Sequence, residues 1–168
     1  MIFSPWQKYR TKKAQEANLE HRNSGSYETS KFIGILYHND DQTKIDDAEK
    51  LATLIKMDGK NVKTMAYEHR SSIKHLPHDT FSKNNFDFWG RFIGKPLQDF
   101  VTTEFDFLIC LDEEPNRLIK SVLAHSQAKC RIGRYNEMNQ QTFEMLFNNI
   151  DEGKKWVDNL YEYLKRLA

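Results

Sequence analysis

Phe32-Ile33-Gly34-Ile35-Leu36-Tyr37 is followed by Thr43-Lys44-Ile45-Asp46 and, beyond Gly59, by Val62-Lys63-Thr64-Met65-Ala66-Tyr67. The first run is apolar throughout rather than alternating, the pattern of a strand covered on both faces in a parallel sheet. Thr43-x-x-Asp46 resembles a capping box, and Ile45, Ala48, Leu51, Ala52 and Ile55 recur at helical spacing until Gly59 supplies a stop. Strand, helix and strand in that order make a βαβ unit with a right-handed crossover. The stretch predicts an α/β fold: a Rossmann-like three-layer sandwich around a mainly parallel sheet.

The pattern continues downstream. Phe105 to Leu111 repeats the signature of a buried strand, and after Asp112-Glu113-Glu114 a helix is expected with Pro115 in its first turn and Leu118, Ile119, Val122 and Leu123 as its buried stripe. Ala128 to Ile132 reads as a strand closed by Gly133, and Thr142 to Phe147 has the β-branched and aromatic content of another. Asp151 to Leu167 reads as a closing helix with Trp156, Val157, Leu160, Tyr161 and Leu164 facing the core. Between the halves, His69 to Asn85 is polar, broken by Pro77, and reads as loop. Asp87-Phe88-Trp89 reads as a short third strand ended by Gly90, before a helix opened by Pro96 with Leu97, Phe100 and Val101 on one side. The sheet then has about six strands, a usual size. Upstream, Pro5 to Arg22 is polar and helix-prone, and Asn23 to Ser30, with Gly25 and three serines, reads as a linker. The expected organisation is an N-terminal helix and linker over residues 1–30 and one Rossmann-like domain over 31–168.

Composition narrows the function classes. At 168 residues the chain suits one domain, which buries roughly 70% of the surface its unfolded form exposes. Hydrophobic residues at 39% supply a core, while 29% charged residues exclude a membrane-embedded chain. Lys plus Arg number 25 against 24 for Asp plus Glu, so no global field concentrates nucleic acid around the protein. The longest apolar run, Phe32 to Tyr37, is far short of the ~20 residues of a membrane-spanning helix. Met1 to Trp6 lacks the plan of a secretory signal, and a cytoplasmic location is the expectation. Cys110 and Cys130 sit in apolar strand sequence, as buried thiols or as a disulfide between adjacent strands, and neither has the spacing of a zinc site.

Two resemblances accompany these elements. A basic N-terminal helix, Lys31-Phe32-Ile33-Gly34-Ile35-Leu36, Phe88-Trp89-Gly90, Gly94-Lys95-Pro96, Phe105-Asp106-Phe107-Leu108-Ile109 and Ser126-Gln127-Ala128-Lys129 together resemble an uncharacterised family common in Bacteroidetes and known only as a domain of unknown function. That likeness covers nearly the whole chain and implies no activity. In the second half, Phe105 to Leu111, the following helix and Ala128-Lys129-Cys130-Arg131-Ile132-Gly133 are similar to the N-terminal domain of heptosyltransferase-type (GT-B) glycosyltransferases. This implies a Rossmann-like fold and, as an alternative function, a transferase half that needs a second chain for its donor site. Those enzymes carry a Gly-Asp pair after their first strand, where this sequence has His38-Asn39-Asp40-Asp41.

Open α/β sheets bind ligands beyond the carboxyl ends of their strands. The candidate ligand-binding residues are therefore His38, Asn39 and Asp40 after the first strand, His69 and Arg70 after the second, and Asp112 after Phe105 to Leu111. Paired carboxylates and a histidine suit acid–base work or a polar pocket. The same residues also suit wet loops and helix caps, since an acidic side chain complements a helix start. No Gly-x-Gly-x-x-Gly or Walker-type run follows a strand, so no dinucleotide or P-loop site is expected. Gly90 to Pro96 places Arg91 and Lys95 ahead of a short helix, either as an anion cradle or as a tight turn. Asp112-Glu113-Glu114 is a weak magnesium or calcium candidate beside its plainer role as a solvated helix start. No metal ligand set and no cofactor are assigned. The expected function is a non-enzymatic or regulatory domain that binds a partner protein or a small anionic ligand at the strand ends. A homodimer through the N-terminal helix is a further option, and nucleic acid is disfavoured for want of an aromatic platform or groove-reading motif.

Overall fold

The run that opens the sequence pattern forms the centre of the sheet. In the computed structural model, which describes residues 5–23, 25–69, 76–149 and 153–167, strand β1 (Phe32–His38) sends Ile33, Ile35 and Tyr37 into one apolar cluster and Leu36 into another on the opposite face. All four side chains are fully buried, which accounts for the unbroken apolar run. Helix α2 (Gln42–Met57) follows and leads into β2 (Asn61–Tyr67). The chain continues through β3 (Asp79–Phe81), α3 (Lys95–Thr102), β4 (Phe107–Cys110), α4 (Arg117–His125), β5 (Cys130–Arg134), β6 (Met145–Phe147) and α5 (Trp156–Leu164). An N-terminal helix, α1 (Pro5–Ala17), precedes them.

Among the described residues the six strands form one sheet in the order β3-β2-β1-β4-β5-β6, with every neighbouring pair parallel. The chain starts in the middle, moves outward to β3, returns to lay β4 beside β1, and moves outward on the other side. That is the strand order of the doubly wound Rossmann sheet, and it reverses direction between β1 and β4. Helices α2 and α5 cover one face through Ile45, Leu51, Ile55, Val157, Leu160 and Leu164, while α3 and α4 cover the other through Leu97, Phe100, Ile119 and Val122. Each large apolar side chain fully buried in these layers contributes roughly 1.5–3 kcal/mol of transfer free energy. Helix α1 lies outside α4, where Thr11 Oγ1 donates to Ser121 Oγ at 3.3 Å and Asn18 Nδ2 donates to the Ala124 carbonyl at 3.1 Å. Its Trp6 stacks edge-on against Trp89, with ring centroids 5.6 Å apart.

Several boundaries differ from expectation, each for a local reason. The third strand is Asp79–Phe81, inside the stretch read as loop, whereas Asp87-Phe88-Trp89 is a turn. The Gly90 N–H donates to the Asp87 carbonyl at 3.0 Å, and Gly90 takes φ 78°, a value that suits glycine. Phe88 and Trp89 are left exposed. Helix α2 is capped by Asp41, whose carboxylate accepts the Thr43 N–H at 2.8 Å, rather than by a box starting at Thr43. Pro115 lies just ahead of α4 instead of in its first turn; Asn116 is the cap and accepts the N–H groups of Leu118 and Ile119 at 2.9 and 3.0 Å. Gly133 does not close β5 but lies within it, where a Cβ would come within 2.5 Å of the Phe143 ring. Strand β6 begins only at Met145, since Glu144 just ahead of it is engaged by Arg131. The closing helix begins at Trp156; Asp151, the start expected for it, lies outside the described residues. Cys110 and Cys130 are free thiols in the clusters on opposite faces of the sheet, which rules out the disulfide between them.

Candidate functional site

The reversal between β1 and β4 brings two loop starts together at the carboxyl edge of the sheet. His38 is the last residue of β1. Beyond it the Asn39 N–H donates to the Tyr67 carbonyl at 2.9 Å, which holds the chain to β2 while it turns, and Asn39 is fully buried. On the neighbouring strand the Leu111 N–H donates to the Leu36 carbonyl at 3.0 Å. This carries the backbone one residue past β4 and sets Asp112 beside the end of β1. The first turn of α2 adds Lys44.

These residues form one network. Lys44 Nζ lies 2.7 Å from Asp40 Oδ1 and 2.6 Å from Asp112 Oδ1, bridging the two carboxylates. His38 Nδ1 lies 3.0 Å from Asp40 Oδ2, and its ring packs on Tyr67 with centroids 5.0 Å apart. Burial is graded: the Asp112 side chain is 5% exposed, Lys44 21%, His38 24% and Asp40 44%. One atom each from His38, Asp40 and Asp112 lies within 4.8 Å of the others, so the three share a single small space.

Burial dominates the electrostatics. It raises the Asp112 carboxyl above its usual range despite the opposing pull of Lys44. It lowers His38, with Asp40 and Asp112 opposing, so the imidazole is favoured in its neutral form. For Lys44 burial acts downward, but the two carboxylates together outweigh it and the ammonium is held above its ordinary value. The carboxylate of Asp40 facing Nδ1 places the proton of the neutral ring on Nδ1. His38 Nε2 is then an acceptor, and it is buried with no hydrogen-bond partner among the described residues. Asp112 Oδ2 is in the same condition. Two buried, unsatisfied acceptors in one cluster are uncommon in a folded protein, because each costs about 1–3 kcal/mol.

Of the strand-end residues singled out in the sequence, His38, Asp40 and Asp112 come together, with Asn39 buried at their base. His69 is exposed, and its charge also disfavours the His38 imidazolium. Arg70 lies outside the described residues. Glu113 and Glu114 are exposed, and the Glu113 carbonyl accepts from Asn139 Nδ2 at 2.8 Å. Arg91 and Lys95 each pair with an aspartate of their own segment, Arg91 Nε with Asp87 at 2.6 Å and Lys95 with Asp99 at 3.2 Å. Sequence reasoning missed Lys44, although its place one helical turn after Asp40 was a usable signal. It also missed a groove of about 820 Å³ between α1, the start of α4 and residues 140–144. Lys8, Lys12, Arg117 and Lys120 line that groove with two carboxylates, Glu16 and Glu144, of which Glu144 is taken up by Arg131.

A family model matches residues 5–167. The chain belongs to DUF6913, a family of unknown function. No curated protein matches the sequence significantly. The DUF6913 match runs from α1 through α5, so both the strand-end cluster and the basic groove lie inside the family region. Among the described residues, no helix of this DUF6913 chain is long and apolar enough to cross a membrane.

Proposed function

We propose that this DUF6913 chain is a ligand-binding domain, regulatory rather than catalytic, that takes a small polar molecule in the crevice beyond β1 and β4. The observation that carries this reading is the pair of buried acceptors without partners among the described residues, Asp112 Oδ2 and His38 Nε2, at the point where the strand order reverses. A ligand that supplies two donors there recovers the cost of both. Two carboxylates face a single ammonium in the cluster, so the geometry favours hydroxyl or ammonium groups over the anion expected from sequence.

The test is thermal denaturation with a panel of hydroxyl- and amine-bearing metabolites in the presence of a chelator. A ligand at a hundredfold excess over its Kd stabilises the chain by about 2.7 kcal/mol. The effect should disappear in Asp112→Asn. A panel without any response, or an equal response in Asp112→Asn, removes this reading.

A second reading, a small anionic ligand, is favoured by the groove beside α1, where the cations outnumber the carboxylates. Salt-sensitive binding of a phosphorylated or carboxylated probe, lost in Lys12→Glu with Arg117→Glu, would support it; salt-independent binding would not. Glycosyl transfer with a second chain supplying the donor site is carried by the second-half resemblance alone.

A further inference from the structure

We propose that His38, Asp40 and Asp112 form a binding site for a divalent first-row transition-metal ion; this rests on the crevice being a binding site. The residues offer one imidazole nitrogen and two carboxylate oxygens, with one atom of each inside a mutual distance of 4.8 Å. Ligand atoms that sit ~2.0–2.2 Å from an ion are at most about 4.4 Å apart, so small side-chain rotations complete the sphere.

A cluster of carboxylates alone would carry little, because such clusters also arise as solvated loop ends. Here the second observation is the state of Asp112: its residue is 4% exposed and its Oδ2 is buried without a hydrogen-bond partner among the described residues. His38 Nε2 is likewise buried and unpartnered. Both atoms are lone-pair donors, as a metal requires. The other ring nitrogen, Nδ1, is now 3.0 Å from the Asp40 carboxylate, and ligation by His38 and Asp40 together turns the ring or the carboxylate out of that contact.

The donor set selects the class of ion. Imidazole with carboxylates suits manganese, iron, cobalt, nickel or zinc, whereas magnesium and calcium favour all-oxygen spheres. Lys44 supplies the competing cation. Its ammonium bridges Asp40 Oδ1 and Asp112 Oδ1 at 2.7 and 2.6 Å, so an arriving ion must share or displace it. A metal here would also change which ligands the crevice accepts, because the added positive charge lets a phosphate or carboxylate approach two aspartates.

The experiment uses the full chain, stripped with a chelator and titrated with Mn2+ alone while the free-ion signal is followed by electron paramagnetic resonance. One Mn2+ per chain is expected, competed by Zn2+ and not by an equal amount of Mg2+. Asp112→Asn and His38→Gln should each weaken binding by at least about tenfold. Lys44→Met should strengthen it, and circular dichroism confirms that each variant is folded. If Asp112→Asn does not fold, His38→Gln and Lys44→Met decide the matter between them. Absence of binding in both the unmodified chain and Lys44→Met overturns the proposal, as does an affinity unmoved by Asp112→Asn and His38→Gln. The metabolite panel run in chelator separates the two ideas. A metabolite response without metal binding removes the metal site alone, and metal binding without any metabolite response removes the ligand reading alone.

Discussion

Glu144→Gln should be among the most damaging single substitutions outside the apolar core. Arg131 is 1% exposed, and its guanidinium closes on Glu144 with Nε at 3.2 and 2.9 Å from the two carboxylate oxygens and Nη2 on the first of them. Its Nη1 donates to the Leu123 carbonyl at 3.2 Å, and the Arg131 backbone N–H donates to Glu144 Oε2 at 2.8 Å. A second buried guanidinium, Arg22, lies 4.0 Å from the same carboxylate with its side chain only 4% exposed. Burial and repulsion from Arg131 pull Arg22 down to about 10, with Glu144 opposing. One carboxylate therefore compensates two buried cations. Breaking a buried pair by removing one partner costs about 3–5 kcal/mol, and the lower end applies because 19% of the Glu144 side chain still meets water. At about 2–4 °C per kcal/mol for a chain of this size, a loss of about 3 kcal/mol lowers Tm by about 6–12 °C. Urea denaturation followed by tryptophan fluorescence measures the free energy directly. Arg131→Met combined with Glu144→Leu should be more stable than Glu144→Gln, since an apolar pair leaves fewer unpaired charges behind. A loss below about 1 kcal/mol for Glu144→Gln, the range of an exposed ion pair, would refute this account.

Gly133→Ala places a methyl group 2.5 Å from the Phe143 ring and should cost about 1–3 kcal/mol in urea denaturation; an unchanged midpoint would show that the ring moves aside freely. Burial works against the Asp106 carboxylate, but Lys129 and the N–H groups of Lys31 and Phe32 outweigh it and hold its pKa below the usual range. A folded pKa below the unfolded value, about 3.9, means that this stabilisation is complete above that pH and is lost as pH falls through the folded pKa. Asp106→Asn should therefore be less stable than the parent at neutral pH, and the gap should close in acid; a gap independent of pH would count against it. Burial raises both thiols, Cys130 to about 12 and Cys110 well above its ordinary value. Neither should react with an aromatic disulfide reagent at mildly alkaline pH until denaturant is added, and rapid labelling of the native chain would contradict their burial.

The central βαβ unit was legible because its signals are long and agree with one another. Phe32 to Tyr37 is apolar on both faces, α2 has four turns of one-sided periodicity, and Gly59 ends it at φ 77°. The third strand was not legible. It has three residues, of which only Phe81 is buried, and it exists because β2 offers a free edge to pair with: the Glu68 N–H reaches the Phe81 carbonyl at 2.7 Å. Asp87-Phe88-Trp89 carries more strand-like side chains but folds back on itself as a turn, with the Asp87 N–H donating to the Arg91 carbonyl at 3.0 Å. Local propensity lost to pairing at both places. Gly133 misled for a related reason, since a glycine demanded by a neighbouring ring looks the same in sequence as one that ends a strand.

The sequence by itself determined that strands and helices alternate, that the sheet is parallel, and that polar residues follow each strand. Those properties depend on periodicity and on residues a few positions apart. It named His38, Asp40 and Asp112, but with Asp112 in a different loop from the other two. Only the tertiary structure decided that β4 returns to lie beside β1, so that Lys44 and Asp112, 68 positions apart, meet at 2.6 Å. The graded burial of the cluster and its two unpartnered acceptors follow from that one adjacency. Desolvation depends on what surrounds a group in space, and strand order, which sets those surroundings, leaves no local mark on the chain.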